Sequence, residues 1–133
     1  MAKLIPVVID LESFFSTEHS LTKMNPISYV THPETEIISA AAKTDGHETF
    51  CVFGQDTAYR YIDNFKWDDK IVIGHNMSMF DAMILAWRFG VKPAMWACTL
   101  AMARPIHAKT TGLSLAKLVE HYGLGKKDQT ALM

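Results

Sequence analysis

The run Ile5-Pro6-Val7-Val8-Ile9, closed by Asp10-Leu11-Glu12, decides how the rest of the chain is read. Its β-branched, apolar character predicts a largely buried strand from Leu4 to Leu11. Side chains alternate along a strand, so Asp10 and Glu12 project side by side from its mouth. Like charges held that close resist ionising together unless a cation neutralises them. Hard divalent cations such as Mg2+ take carboxylate oxygens and keep waters and phosphate oxygens as their remaining ligands. The pair equally fits a solvated strand-to-loop junction without chemistry, and the tripeptide alone leaves both readings open.

Outward from this strand, Thr17 to Lys23 is polar and reads as loop, and Pro26 to Val30 as a short helix with proline in its first turn. Glu36 to Lys43 and Thr49 to Phe53 flank Asp45-Gly46, a hairpin signal. Asp56 to Phe65 has helical periodicity, and Ile71-Val72-Ile73 is a second buried strand ending at Gly74. Ser78 to Phe89 carries Phe80, Met83, Ile84 and Trp87 on one stripe and stops at Gly90, which predicts a helix. Ala94 to Cys98 is a further short strand. Leu100 to Arg104 reads as a helical turn, Pro105 to Thr111 as loop, and Leu113 to Tyr122 as a helix closed by Gly123. An antiparallel hairpin added to parallel strands with helical crossovers makes a mixed sheet flanked by helices. Ligands bind such sheets at the carboxyl ends of the parallel strands, where Asp10 and Glu12 lie.

A length of 133 residues suits one domain, residues 1–133, with a real core. Thirteen basic residues against fourteen acidic ones leave no basic footprint for nucleic acid. Bound metal ions supply such charge in a nuclease, so that class stays open. Cys51 and Cys98 are far apart and read as buried thiols of a reducing compartment. The six histidines do not fall at zinc-ligand spacing with them. Asp10 and Glu12 interrupt the N-terminal apolar stretch before it resembles a leader, and no run reaches membrane-spanning length. A cytoplasmic protein with no membrane partner is expected.

A second acidic motif, Gly74-His75-Asn76-Met77-Ser78-Met79-Phe80-Asp81, follows the second parallel strand. If the two strands are neighbours, Asp81 completes a three-carboxylate cluster. Ser78-x-x-Asp81 also has the form of a capping box, and an acid in a first turn suits the helix dipole. His75 and Asn76 alone are ordinary turn residues.

Together the two motifs resemble the first and second motifs of the DEDD 3'-5' exonucleases. More narrowly, the chain is similar to the proofreading exonuclease domain of bacteriophage family A DNA polymerases. Val8-Ile9-Asp10-Leu11-Glu12-Ser13-Phe14 carries the first motif and Gly74 to Asp81 the second. Thr99 to Arg104 and Gly112 to Ala116 resemble the connecting segments that follow the second motif, and Ser20-Leu21-Thr22-Lys23 with Tyr29-Val30 and Pro33 resembles an insertion common in the phage group. The resemblance implies an α/β, ribonuclease H-like fold with a mixed five-stranded sheet. It implies two divalent ions, Mg2+ or Mn2+, held by acids that include Asp10, Glu12 and Asp81. Such ions stand about 4 Å apart and act on the attacking and leaving oxygens. It also implies a single-stranded or frayed DNA 3' end as substrate, a polymerase domain or subunit as partner, and viral DNA replication in a host cytoplasm as the setting. Phe14 or Phe15 would stack on the terminal base, Asn76 and His75 would line the substrate side, and Phe80 would anchor the helix to the sheet.

The family's third motif, Tyr-(x)3-Asp or His-(x)4-Asp, does not occur after the second motif. The expectation is therefore a partial domain that lacks the last helix, the fourth acid and the water-orienting residue. A non-catalytic nucleic-acid-binding or polymerase-assembly domain is the alternative from another class, and a stand-alone exoribonuclease shares the visible motifs.

Overall fold

The computed structural model describes residues 3–77 and 80–125. Its centre is β1 (Ile5–Ser13), followed by α1 (Pro26–Thr31), β2 (Ile37–Thr44), β3 (Phe50–Phe53), α2 (Gln55–Asp63) and β4 (Lys70–Gly74). α3 (Asp81–Phe89), β5 (Met95–Cys98), α4 (Thr99–His107) and α5 (Leu115–His121) complete the order. The five strands form one sheet in the order β3-β2-β1-β4-β5. β1 pairs antiparallel with β2 and parallel with β4, and β5 is parallel to β4. The mixed α/β sheet expected from the sequence is the observed architecture.

Alternation along β1 divides the molecule. Val7, Ile9 and Leu11 are buried, and their register partners Val72, Ala42 and Ala40 lie on the same face. Ala58 and Ile62 of α2, Ile84 and Leu85 of α3, and Tyr29 and Val30 of α1 close that face into the core. Val8, Asp10 and Glu12 alternate onto the other face and are exposed. Their partners there are Ile73, Ala41 and Ser39.

Several boundaries differ from the sequence reading for identifiable reasons. β1 does not end at Leu11: its ladder with β2 runs on through a bulge between Glu12 and Ser13, so both acids lie within the strand. α3 begins at Asp81 rather than Ser78, after a turn in which Asn76 takes φ 60° and Met77 is buried. The cap residue of α3 is Phe80, with no side-chain capping bond. Ser78 of the proposed capping box lies outside the described residues. α4 continues through Pro105 instead of ending before it. Proline there removes one helical hydrogen bond, and burial of Ala103 and His107 on the same helix opposes that cost.

Two short elements follow local chemistry. The Asn25 side chain accepts from the Ser28 amide at 2.8 Å, and Pro26 opens α1, so the helix starts where the sequence places it. Ser114 caps α5 through the Lys117 amide at 3.3 Å, and Gly123 takes φ 67° beyond its end.

Candidate active site

β1 pairs with β4 only from Ile5 to Val8, so its second half runs past the end of β4. The Leu11 amide on that overhang receives its partner from a distant element. It donates to Asp81 Oδ1 at 3.1 Å, a bond spanning 70 residues of sequence. A buried amide left unpaired costs about 1–3 kcal/mol, so this bond fixes where α3 begins as well as where Asp81 points. Leu11 stands between Asp10 and Glu12, and the third carboxylate therefore docks on the backbone that carries the first two. The structure brings these three together.

Their electrostatics follow from this placement. Asp81 is 4% exposed. Burial, reinforced by the charge of Asp10 and then of Glu12, pushes its carboxyl from 3.8 up to about 7, against the lowering effect of the Leu11 amide. The group thus resists ionising beside two exposed acids. A hard divalent cation removes that conflict, and three carboxylates are the donor set such an ion takes. The residues present thus fit Mg2+ or Mn2+. Their oxygens do not close to a single-ion cage. The group whose ligand atoms lie within 4.8 Å of one another among the described residues is a different one, His19, His32 and Glu34.

The surroundings are built by less predictable contacts. Gly74 sits where a Cβ would meet Met77 Cε at 2.7 Å and the Ile9 carbonyl oxygen at 3.4 Å. Its lack of a side chain lets the second motif fold tightly over β1. His75, expected on the substrate side, donates from Nε2 to the Leu113 carbonyl at 2.9 Å. Its Nδ1 meets Thr99 Oγ1 at 2.9 Å. Both ring nitrogens are spent joining the β4 turn to the heads of α4 and α5. Asn76 is exposed in the left-handed turn. Phe80 packs near Tyr29 with ring centroids 6.3 Å apart.

Phe14 and Phe15 lie just beyond β1 and are 41% and 74% exposed. Tyr29 controls their base: its hydroxyl donates to the Phe14 carbonyl at 2.6 Å and accepts from Ser13 at 2.8 Å. The roles of the Tyr29 hydroxyl and of the Leu11 amide escaped the sequence reading. No local pattern marks a tyrosine that reaches back 15 residues, or which amide a strand leaves unpaired.

This mixed five-stranded sheet with flanking helices is a fold found in solved nucleases and a polymerase. The solved structures it is similar to include Brucella melitensis NrnC with bound Mg2+ (TM-score 0.65, 16% identity, 94% of this chain and 56% of that one). They also include the family B DNA polymerase from the hyperthermophilic archaeon Pyrobaculum calidifontis (TM-score 0.62, 15% identity, 94% and 19%). An exonuclease I in complex with an inhibitor matches as well (TM-score 0.61, 12% identity, 98% and 39%). At these identities the likeness establishes the fold. The chain spans about half the length of NrnC and less of the other two. No family model matches the sequence, and no curated protein sequence matches it. Among the described residues, no helix is long and apolar enough to cross a membrane.

Proposed function

We propose that the chain is a 3'-5' exonuclease domain that removes nucleotides from DNA 3' ends, as in the proofreading unit of a phage-type DNA polymerase. The observation that carries this reading is the seating of Asp81 on the Leu11 amide, between Asp10 and Glu12. Asp10, Glu12 and Asp81 would hold two Mg2+ or Mn2+ ions. Such ions lower the pKa of a bound water and stabilise charge on the attacking and leaving oxygens. The protein's own contribution is placement. Asp10 and Glu12 face solvent from a strand paired with β2 along their length and with β4 up to Val8, and the Leu11 amide orients Asp81. Exposed Phe15 offers a face for the terminal base, and sequence-tolerant stacking suits an enzyme that accepts any 3' nucleotide. His75 acts here as a clasp behind the site.

A second reading, a non-catalytic nucleic-acid-binding or polymerase-assembly domain, draws support from the open sheet face. Val8 (51% exposed), Phe53 (72%) and Met95 (51%) present apolar surface there. Release of nucleotide from a 3'-labelled single strand with Mg2+ or Mn2+ separates the two. The exonuclease reading expects metal-dependent shortening that falls by more than about 100-fold in Asp10→Ala, beyond the loss typical for an outer partner of a metal ligand. Equal background in both proteins, with Mn2+ affinity unchanged by the substitution, would overturn the exonuclease reading and favour a non-catalytic domain instead. Parallel RNA and DNA substrates decide the sugar preference.

A further inference from the structure

We propose that His19, His32 and Glu34 form a binding site for one zinc-like transition cation, separate from the carboxylate site. One ring nitrogen of each histidine and a Glu34 carboxylate oxygen lie within 4.8 Å of one another. The decisive feature is His19. It is 3% exposed, and its Nδ1 is buried with no hydrogen-bond partner. Its Nε2 lies 2.7 Å from Thr35 Oγ1, and that hydroxyl donates its own proton to the Tyr29 carbonyl. The Thr35 oxygen therefore accepts from His19 Nε2–H. A neutral His19 then presents Nδ1 as a bare lone pair, held in orientation by its other nitrogen. Metal-ligating histidines are fixed in this way, and a buried polar atom without a partner otherwise costs free energy.

The other two ligands suit a site at the protein margin. His32 is half-buried and Glu34 exposed, beside a surface cleft lined by Phe14, Pro33, Glu34 and Thr35. Arg88 fixes the His32 backbone through its carbonyl at 2.6 Å, and the His19 and His32 rings lie 4.6 Å apart. Ligands of one tetrahedral ion at bond lengths of about 2.0–2.1 Å stand roughly 3.3 Å apart, a closure within reach of exposed Glu34. Coordination by either nitrogen of His32 ends the 3.1 Å bond its Nδ1 accepts from the Glu34 amide. That exposed amide then turns to water. Two imidazoles and one carboxylate, with a fourth position for water, favour Zn2+ over Mg2+.

Such an ion would staple the segment after Phe14–Phe15 to the turn that follows α1. Zn2+ titration by calorimetry tests this in an Asp10→Asn/Glu12→Gln background, where the carboxylate site is disabled and both substituted positions are exposed. One equivalent should bind. His32→Gln or Glu34→Gln, at half-buried and exposed positions that leave the core intact, should weaken it on the order of 100-fold or more. Co2+ in the same background should give the intense visible bands of a four-coordinate site, lost in His32→Gln. No zinc binding in that background, or binding unchanged by both single substitutions, overturns the proposal. Neither result bears on the exonuclease reading, which the labelled-strand assay tests alone.

Discussion

The two faces of β1 differ in everything but sequence distance. Val7, Ile9 and Leu11 look into a core closed by three helices, while Val8, Asp10 and Glu12, each one residue away, look out. One strand thereby serves packing and chemistry at once, because its period of two sends neighbours to opposite sides. The inward side makes the backbone rigid. The outward side borrows that rigidity to hold like charges together. Asp81 is the exception that joins them, since it is buried yet answers to the exposed acids.

The largest expected effect exploits that exception. The Asp81 carboxyl loses its proton near 3.8 in an unfolded chain and near 7 in the folded one. Between those values the folded state holds the extra proton, so the contribution of Asp81 to metal-free stability is fullest below about pH 4 and is lost as pH rises to 7. At about 1.4 kcal/mol per pH unit of separation, the loss is on the order of 4 kcal/mol. Asp81→Asn should flatten this profile and raise the melting temperature at pH 8 in the absence of metal. Mg2+ at pH 8 should stabilise the native chain and leave the variant unmoved. A native profile that is flat between pH 4 and 7 would contradict the burial argument.

Next in size is the contrast between neighbours. Ile9→Ala should cost about 2–5 kcal/mol in urea unfolding, whereas Val8→Ala should stay within about 0.5 kcal/mol. Comparable losses at both positions would mean that the outer face is covered in solution. Smaller still is Gly74→Ala, where the new methyl meets Met77 Cε, the mobile end of a flexible side chain. A cost of about 1–3 kcal/mol is expected. Mn2+ affinity should fall with it, because the turn leading to Asp81 must shift.

The sequence disclosed this division well and its edges poorly. Alternation over Val7 to Glu12 announces which residues are inside, and Asp45-Gly46 announces the hairpin. Where β1 stops is set by β2, whose pairing carries it to Ser13, and no composition signal in β1 records that. Taken alone, Asp81 reads first as a capping residue and only beside the Asp10/Glu12 motif as a ligand, because the Leu11 amide that claims it lies 70 positions away. Pro105 looked like a stop until the packing of α4 outweighed its local preference. The histidine pair was invisible for a related reason. Zinc sites show in a sequence as histidine and cysteine at short spacing, whereas His19 and His32 meet across a loop with a glutamate.

Helix α3 has Asp81 at its head and, in its last turn, Arg88 gripping the carbonyls of Val30 and His32. It therefore behaves as a strut with one end at the carboxylates and the other at the backbone that carries His32. A tilt or a shift of register at one end is delivered mechanically to the other, so a core change at Ile84 or Leu85 should be felt in both places without touching either.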